Sequence, residues 1–418
     1  MKFLGIEFGK KTPEVVPENL EMSYTPTGVY NQSADFFNRN YDLTTPYLER
    51  YNGNGHILFG LDNLYPDLLN NLYNSSGLHS AIIEFKRNLI SGAGFTIEGE
   101  ENLETMKKVE MKQFINLIDG ENSLEHSLNE LTLDYLIHGT VYFKVYWNSD
   151  KSRILKLKRI EPSKIRIGVD PKDVSEINAY YYNFDWREQG RYPTVKFPPY
   201  APSDNNGERV EIYRFINPNP TVNWNTLPQY ASGANWMKLD GEISNYHKSN
   251  IENSINPSMA LKFYKKPANE EEKRLILNGV KKNFQGSSNT GKAMVFFSDG
   301  KDTAPDIEPI AVSNIDKQFN VTADQIQRNI CYAHRINPTL VGLKTPGSLG
   351  NSTELATSYD IFVKSFVEPA QKDIERIING FLTVNQLGVI FKLDSVELNY
   401  GGEPIAMESD DSENNENK

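Results

Sequence analysis

One glycine divides the most legible stretch of this 418-residue chain. Before Gly139, Leu124, Leu128, Leu131 and Tyr135 recur at helical spacing behind Asn122-Ser123. After it, Thr140-Val-Tyr-Phe-Lys-Val-Tyr-Trp147 is a run of β-branched and aromatic residues. A period of 3.6 that gives way to a strand within one residue puts helix and sheet in the same body. Asn148-Ser-Asp150 then turns the chain into Ile154–Lys158, and Glu161-Pro162-Ser163 turns it again before Ile165-Arg-Ile167. The expectation is an α+β unit with an antiparallel meander.

Other segments extend that reading. Residues 1–40 are rich in Pro, Asn, Thr and Tyr without a period. They read as an N-terminal arm whose Tyr24, Tyr30, Phe36 and Phe37 suit packing along a neighbour. A helix follows Ser75-Ser76, with Leu78, Ile82, Phe85 and Leu89 on one stripe and Gly92 at a left-handed cap. From Asn183 to Ser232 the chain is loop-rich, with one strand near Val210–Phe215. Gly233–Ile255 reads as a polar helix with Trp236, Leu239, Ile243, Tyr246 and Ile251 as its stripe, ended by Asn256-Pro257.

Met259–Val312 reads as a compact β-α-β-β block. Its strands are Met259–Tyr264, Lys292–Ser298 and Ile307–Val312. Asn269 caps its helix, Glu270, Glu271 and Glu272 fill the first turn, and Lys281 and Lys282 the last, which complements the helix dipole at both ends. Ser313-Asn-Ile-Asp316 forms a capping-box pattern before a helix marked by Ile315, Phe319, Ile326 and Ile330, which Asn337-Pro338 closes. A Gly/Pro loop, Leu343–Asn351, separates it from a long helix with Leu355, Tyr359, Phe362, Phe366, Ile374, Ile377 and Phe381. Pro369 should kink or break that helix. A strand over Val389–Leu398 precedes an acidic tail.

The chemistry-bearing patterns are mostly incomplete. Gly286-Ser-Ser-Asn-Thr-Gly291-Lys292-Ala293 copies a phosphate-binding loop but places Ala where a hydroxyl must hold magnesium, and it lies between helix and strand in the wrong order. Cys331 and His334 stand three apart, yet a structural zinc site needs four ligands, and His56, His79, His126, His138 and His247 are scattered singly. No complete nucleophile, metalloprotease or dinucleotide motif occurs, so no enzyme, metal or cofactor is expected. One cysteine excludes an internal disulfide framework and suits a reducing compartment. No stretch approaches a membrane span, and the N-terminus has no signal-peptide core. The net charge is −11; the tail from Glu403 holds six acidic residues and one lysine, which leaves −6 for residues 1–402. Such a body lacks the electrostatic footprint of a protein that grips duplex DNA, although nucleic acid could still pass without being held.

The order of segments, with Leu78–Phe95, Leu131–Ile167 and above all Gln325–Asn379, resembles the portal proteins of tailed bacteriophages. Ile336-Asn-Pro-Thr-Leu-Val-Gly-Leu343 resembles the segment before the family's tunnel loop. Asn351-Ser-Thr-Glu354 resembles the start of the helix beyond, and Phe366-Val-Glu-Pro-Ala370 its aromatic and proline run. The resemblance implies an α+β, portal-like subunit with an α/β wing (41–232 and 354–400), two stem helices (233–256 and 313–336), a small β-α-β-β clip (257–312) and a tunnel loop region (337–353). It leaves little or no crown, because residues 401–418 read as an acidic disordered tail. The resemblance further implies a dodecameric ring at one capsid vertex of a virion assembled in the host cytoplasm. Its partners would be the major capsid protein, terminase large subunit, head–tail connector and a scaffolding protein, with double-stranded DNA passing through and no membrane. Lys344, Thr345, Gly347, Ser348, Gly350, Asn351 and Ser352 are the expected DNA-facing loop residues. Glu270, Lys273, Arg274, Lys281 and Lys282 are the expected docking surface of the clip. The competing reading is another ring-forming structural or adaptor subunit of a virion or secretion-type assembly.

Overall fold

The computed structural model describes residues 49–396 apart from 54, 117, 119–123, 171, 205–206, 221, 254–258, 264–266, 285–292, 298–314 and 344–351. The described residues belong to one unit, Asp42–Lys418. The expected arm, the phosphate-loop lookalike, the strand at 307–312, the cap residues Ser313 and Asn314 and the acidic tail lie outside the described residues.

A hairpin of β1 (Glu49–Tyr51) and β2 (Ile57–Phe59) leads to α1 (Tyr65–Ser75) and α2 (Gly77–Ser91). Helix α1 was not foreseen; Pro66 in its first turn marks the start, and Leu68, Leu69 and Leu72 bury its inner face. The Ser76 side chain caps α2 by accepting from the His79 amide at 3.3 Å. Gly92 corrects the expected left-handed cap, since its φ is −82°. A Cβ there would run into the Asn88 carbonyl, so glycine serves close approach and not handedness. The buried stripe of α2 is also rotated, to His79, Ile82, Ile83, Lys86, Leu89 and Ile90.

β3 (Phe95–Glu98) precedes α3 (Thr105–Asn116), also unforeseen, which buries Met111, Phe114 and Ile115. In α4 (Leu124–His138) all four predicted stripe residues are buried. Gly139 makes the sharp turn with φ +70°, where a Cβ would sit 3.2 Å from the Leu227 carbonyl. β4 (Thr140–Trp147) is the centre of an antiparallel sheet, flanked by β5 (Ile154–Ile160) and β9 (Val210–Ile216).

The meander is corrected. β6 (Ile165–Asp170) leaves this sheet and pairs with β7 (Asp173–Tyr182), which carries β8 (Val195–Phe197) on its other edge. The chain changes sheet through a 3₁₀ turn at Pro162–Lys164. Arg166 fixes the new course: its buried guanidinium donates to the Asn63 side chain at 2.6 Å, to the Asn63 carbonyl, and to the Ser163 and Ile165 carbonyls. Ile57, Tyr142, Ile160, Ile165, Ile167, Val169, Tyr180 and Ile212 form one core between the two sheets.

α5 (Ala234–Asn253) fills the predicted span, but its buried positions among the described residues are Ala234, Met237 and Gly241. The predicted Trp236, Leu239 and Ile243 are half-buried and Tyr246 is exposed. A Cβ on Gly241 would lie 3.3 Å from Ser75, so the α1–α5 contact depends on a missing side chain. β10 (Met259–Phe263), α6 (Glu270–Phe284) and β11 (Ala293–Phe297) form a crossover whose strands pair in parallel, from Met259↔Ala293 to Phe263↔Phe297.

α7 (Ile315–Ala333) follows, then a 3₁₀ turn, Pro338–Val341. α8 (Ser352–Phe362) runs through a π turn, Val363–Val367, into α9 (Glu368–Val384). The interruption predicted at Pro369 takes this form. Proline lacks an N–H and crowds the carbonyl four residues back, and the wider π turn precedes it without breaking the helix. Phe381 of α9 packs against Phe143, Tyr200 and Tyr213, with ring centroids at 5.6, 6.0 and 4.8 Å. β12 (Ile390–Leu393), shorter than predicted, pairs antiparallel with β3. Among the described residues no helix is long and apolar enough to cross a membrane.

Candidate functional site: a loop frame and an exposed helix

The predicted loop residues Lys344, Thr345, Gly347, Ser348, Gly350 and Asn351 lie outside the described residues, and Ser352 begins α8. The frame around them is well defined. α7 ends in a Schellman arrangement: the Arg335 amide donates to the Tyr332 carbonyl at 3.0 Å and the Ile336 amide to that of Cys331 at 3.1 Å. Arg335 occupies the left-handed position usual for glycine, with φ +54°. Asn337 then accepts from the Thr339 amide at 3.1 Å and donates to the Ser358 hydroxyl at 3.0 Å, which ties the segment before the loop to the helix after it. Gly342, at φ +79°, closes the 3₁₀ turn. Tyr359 of α8 donates to the Val396 carbonyl at 3.0 Å.

Behind this frame lies a buried polar cluster that sequence reasoning missed. His79 Nδ1 and His334 Nε2 are 2.8 Å apart, so two histidines scattered along the chain meet in the core. Lys86 donates to the His334 carbonyl at 3.0 Å and lies 3.4 Å from His334 Nδ1. Tyr230 packs on both imidazoles and donates to the Ile137 carbonyl at 2.8 Å. Burial, and then the Lys86 charge, hold His79 down to about 3 and His334 well below the usual imidazole range. Burial pushes the Cys331 thiol up to about 11, so it is no ready nucleophile. Among the described residues no group of three His, Cys, Asp or Glu could hold a metal. The signal available in sequence was His79 and Lys86 falling in step with Ile82, Ile83, Leu89 and Ile90.

On α6, the Asn269 side chain accepts from the Glu272 amide at 2.8 Å, and Glu272 reaches back to the Ala268 amide at 2.6 Å. Lys273 pairs with Glu270 at 3.1 Å. Glu270 and Arg274 are exposed and Lys273 is half-buried, and spacing of three and four residues puts all three on one side. Lys281 and Lys282 fall in the last turn of the same helix. Leu275 is 67% exposed.

A family model described as phage portal protein matches residues 123–401. The chain belongs to the phage portal protein family. The mixed helix–strand architecture above is accordingly a portal fold. A chain of a structure titled "Virion of native gene transfer agent (GTA) particle" is similar with a TM-score of 0.52 and 15% identity, covering 78% of this chain and 83% of that one. A chain of "Neck of native GTA particle computed with C12 symmetry" gives 0.50 and 15%, covering 78% and 84%. An HK97-family phage portal protein from Corynebacterium diphtheriae gives 0.44 and 12%, covering 78% and 94%. No curated protein matches.

Proposed function

We propose that this portal-family chain is one subunit of a twelve-membered ring at a single capsid vertex of a virion, through which double-stranded DNA is packaged and later ejected. The family match over residues 123–401 carries the reading. The likeness to a neck chain solved with C12 symmetry supports the copy number. In this reading α5 and α7 are the stem, residues 257–312 the clip, and 337–353 the tunnel loop region. Residues 41–232 and 354–400 make the wing. Glu270, Lys273 and Arg274 at the start of α6, with Lys281 and Lys282 in its last turn, would offer charged groups to terminase during filling and to the connector afterwards.

The acidic balance of the chain suits this work. Each phosphate neutralised releases counterions and adds affinity, so a bore lined with many cations would hold DNA still. A few basic groups at the narrowest point, Lys344 above all, would guide the duplex among neutral Thr345, Ser348, Asn351 and Ser352. Purified chain imaged by negative stain after size-exclusion chromatography should show annuli with a central hole. A chain that stays monomeric at high concentration overturns the proposal. In assembled particles Lys344→Ala should leave rings intact and alter packaging yield or DNA retention; unchanged packaging and retention would remove the loop from the mechanism.

A further inference from the structure

Lys86 is the least expected side chain in the core. It is 3% exposed and makes no ion pair among the described residues. Its ammonium lies 3.8 Å from the centroid of the Phe366 ring and 5.9 Å from that of Phe362. Desolvation strengthens such cation–π contacts. Its other partner is His334, through the carbonyl and Nδ1.

These partners stand on opposite sides of residues 344–351. His334 ends the helix before them, and Phe366 lies in the π turn of the helix after them. Asn337 and Ser358 join the two segments to each other, whereas Lys86 joins both to α2. A π turn holds one residue more than an α turn needs. Rewinding it as α-helix would turn α8 by about 100° and shift it by about 1.5 Å.

We propose that Lys86 is a positioning residue that locks both segments bracketing residues 344–351 onto α2 and holds the Val363–Val367 π turn in its present winding. The titratable and charged groups facing it are His79 from α2, His334 and Arg335 at the exit of α7, Tyr135 from α4 and Tyr230 before α5. None is a carboxylate. Burial, with the like charge of Arg335, draws Lys86 down to about 7. Opening the contacts returns the amine to water and to its ordinary range, so opening takes up a proton; the closed arrangement is favoured as the pH rises through about 7 and loosens below it. The consequence for DNA passage rests on the portal reading; the lock itself does not.

Hydrogen exchange on the full chain tests this. Lys86→Met should fold with an unchanged or raised urea midpoint, because an apolar isostere replaces a buried charge. Protection factors in 334–343 and 352–367 should nevertheless fall at least tenfold, while those of β4 and α9 beyond its first turn hold. Wild-type protection of the same two segments should rise on going from pH 6 to pH 8.5, and Lys86→Arg, which keeps its proton, should show no such rise. Loss spread evenly through the chain, or no local loss, overturns the proposal. If Lys86→Met does not fold, equal wild-type protection of the two segments at both pH values overturns it. None of these readouts needs a ring or DNA, so this failure is distinct from failure of the portal reading.

Discussion

Helices α9 and α6 have 17 and 15 residues and both carry an apolar stripe, yet they are held in opposite ways. α9 buries Ala370, Ile374, Ile377, Ile378, Phe381 and Leu382 against the β4 sheet and α2. None of the described side chains of α6 is buried. What fixes α6 lies at its start: the Asn269 cap, the reciprocal Glu272 bond and three acidic residues on the positive end of the dipole. Among the described residues, the body is stabilised by its faces and the insert helix by its start.

The largest effect that could break this contrast is in the core. Phe381→Ala should destabilise the chain by about 3–5 kcal/mol, because it empties a site bounded by Phe143, Tyr200 and Tyr213. Leu275→Ala should change the urea midpoint by less than about 0.5 kcal/mol equivalent. Equal shifts for the two would show that α6 is packed after all.

That contrast also sorts what could be read in advance. Elements with a long, regular apolar pattern were legible: α4 from Leu124, Leu128, Leu131 and Tyr135, β4 from its β-branched run, α9 from Ile374, Ile377 and Phe381. The short apolar faces of α1 (Leu68, Leu69, Leu72) and α3 (Met111, Phe114, Ile115) did not stand out, and helices that mix polar residues into the buried face had their stripes displaced. Polar His79 and Lys86 do not enter an apolar stripe, so α2 reads as Leu78, Ile82, Phe85 and Leu89, of which Leu78 and Phe85 are half-buried. On α5 the buried seam runs through Ala234 and Gly241, which no hydrophobicity pattern marks. The sheet change at β6 depends on Arg166 finding Asn63, a contact between residues 103 apart. α7 ends at Ala333 with Arg335 in the left-handed position, just ahead of the Asn337-Pro338 that closes it in the sequence. The loop reads from Gly/Pro composition, whereas the contacts of Lys86 with His334 before it and Phe366 after it are tertiary.

A second, intermediate effect belongs to the body alone. Burial lowers His79 to about 3 and His138 and His56 to about 4, with His334 lowered as well. In the unfolded chain these groups titrate near 6.5, so at lower pH the unfolded state binds more protons. Above pH 6.5 they cost nothing; between 6.5 and 4 each penalises folding increasingly, by up to about 1.4 kcal/mol per pH unit for the fully buried ones. Asp67 and Asp134, raised by burial, act in the opposite sense as they protonate. Four imidazoles against two carboxylates leave a net loss, and Tm should fall between pH 6.5 and 4.5. A flat Tm over that range would mean that the imidazoles are reached by water.

The smallest effect sharpens the comparison, because the same kind of cap occurs in both regions. Ser76 caps α2 and also donates to Asp240 of α5 at 2.7 Å, in the buried body. Asn269 caps α6 at its exposed start. Removing an N-cap costs about 1 kcal/mol in either place. Ser76→Ala additionally leaves Asp240 without that donor, so its loss should pass into the global unfolding transition. Asn269→Ala should instead raise exchange at Glu272 and its neighbours in the first turn of α6 while the urea midpoint stays put. The reason is that no buried face of the described residues transmits fraying from that end to the core. A drop in global stability with Asn269→Ala equal to that with Ser76→Ala would show that the insert and the body unfold as one unit.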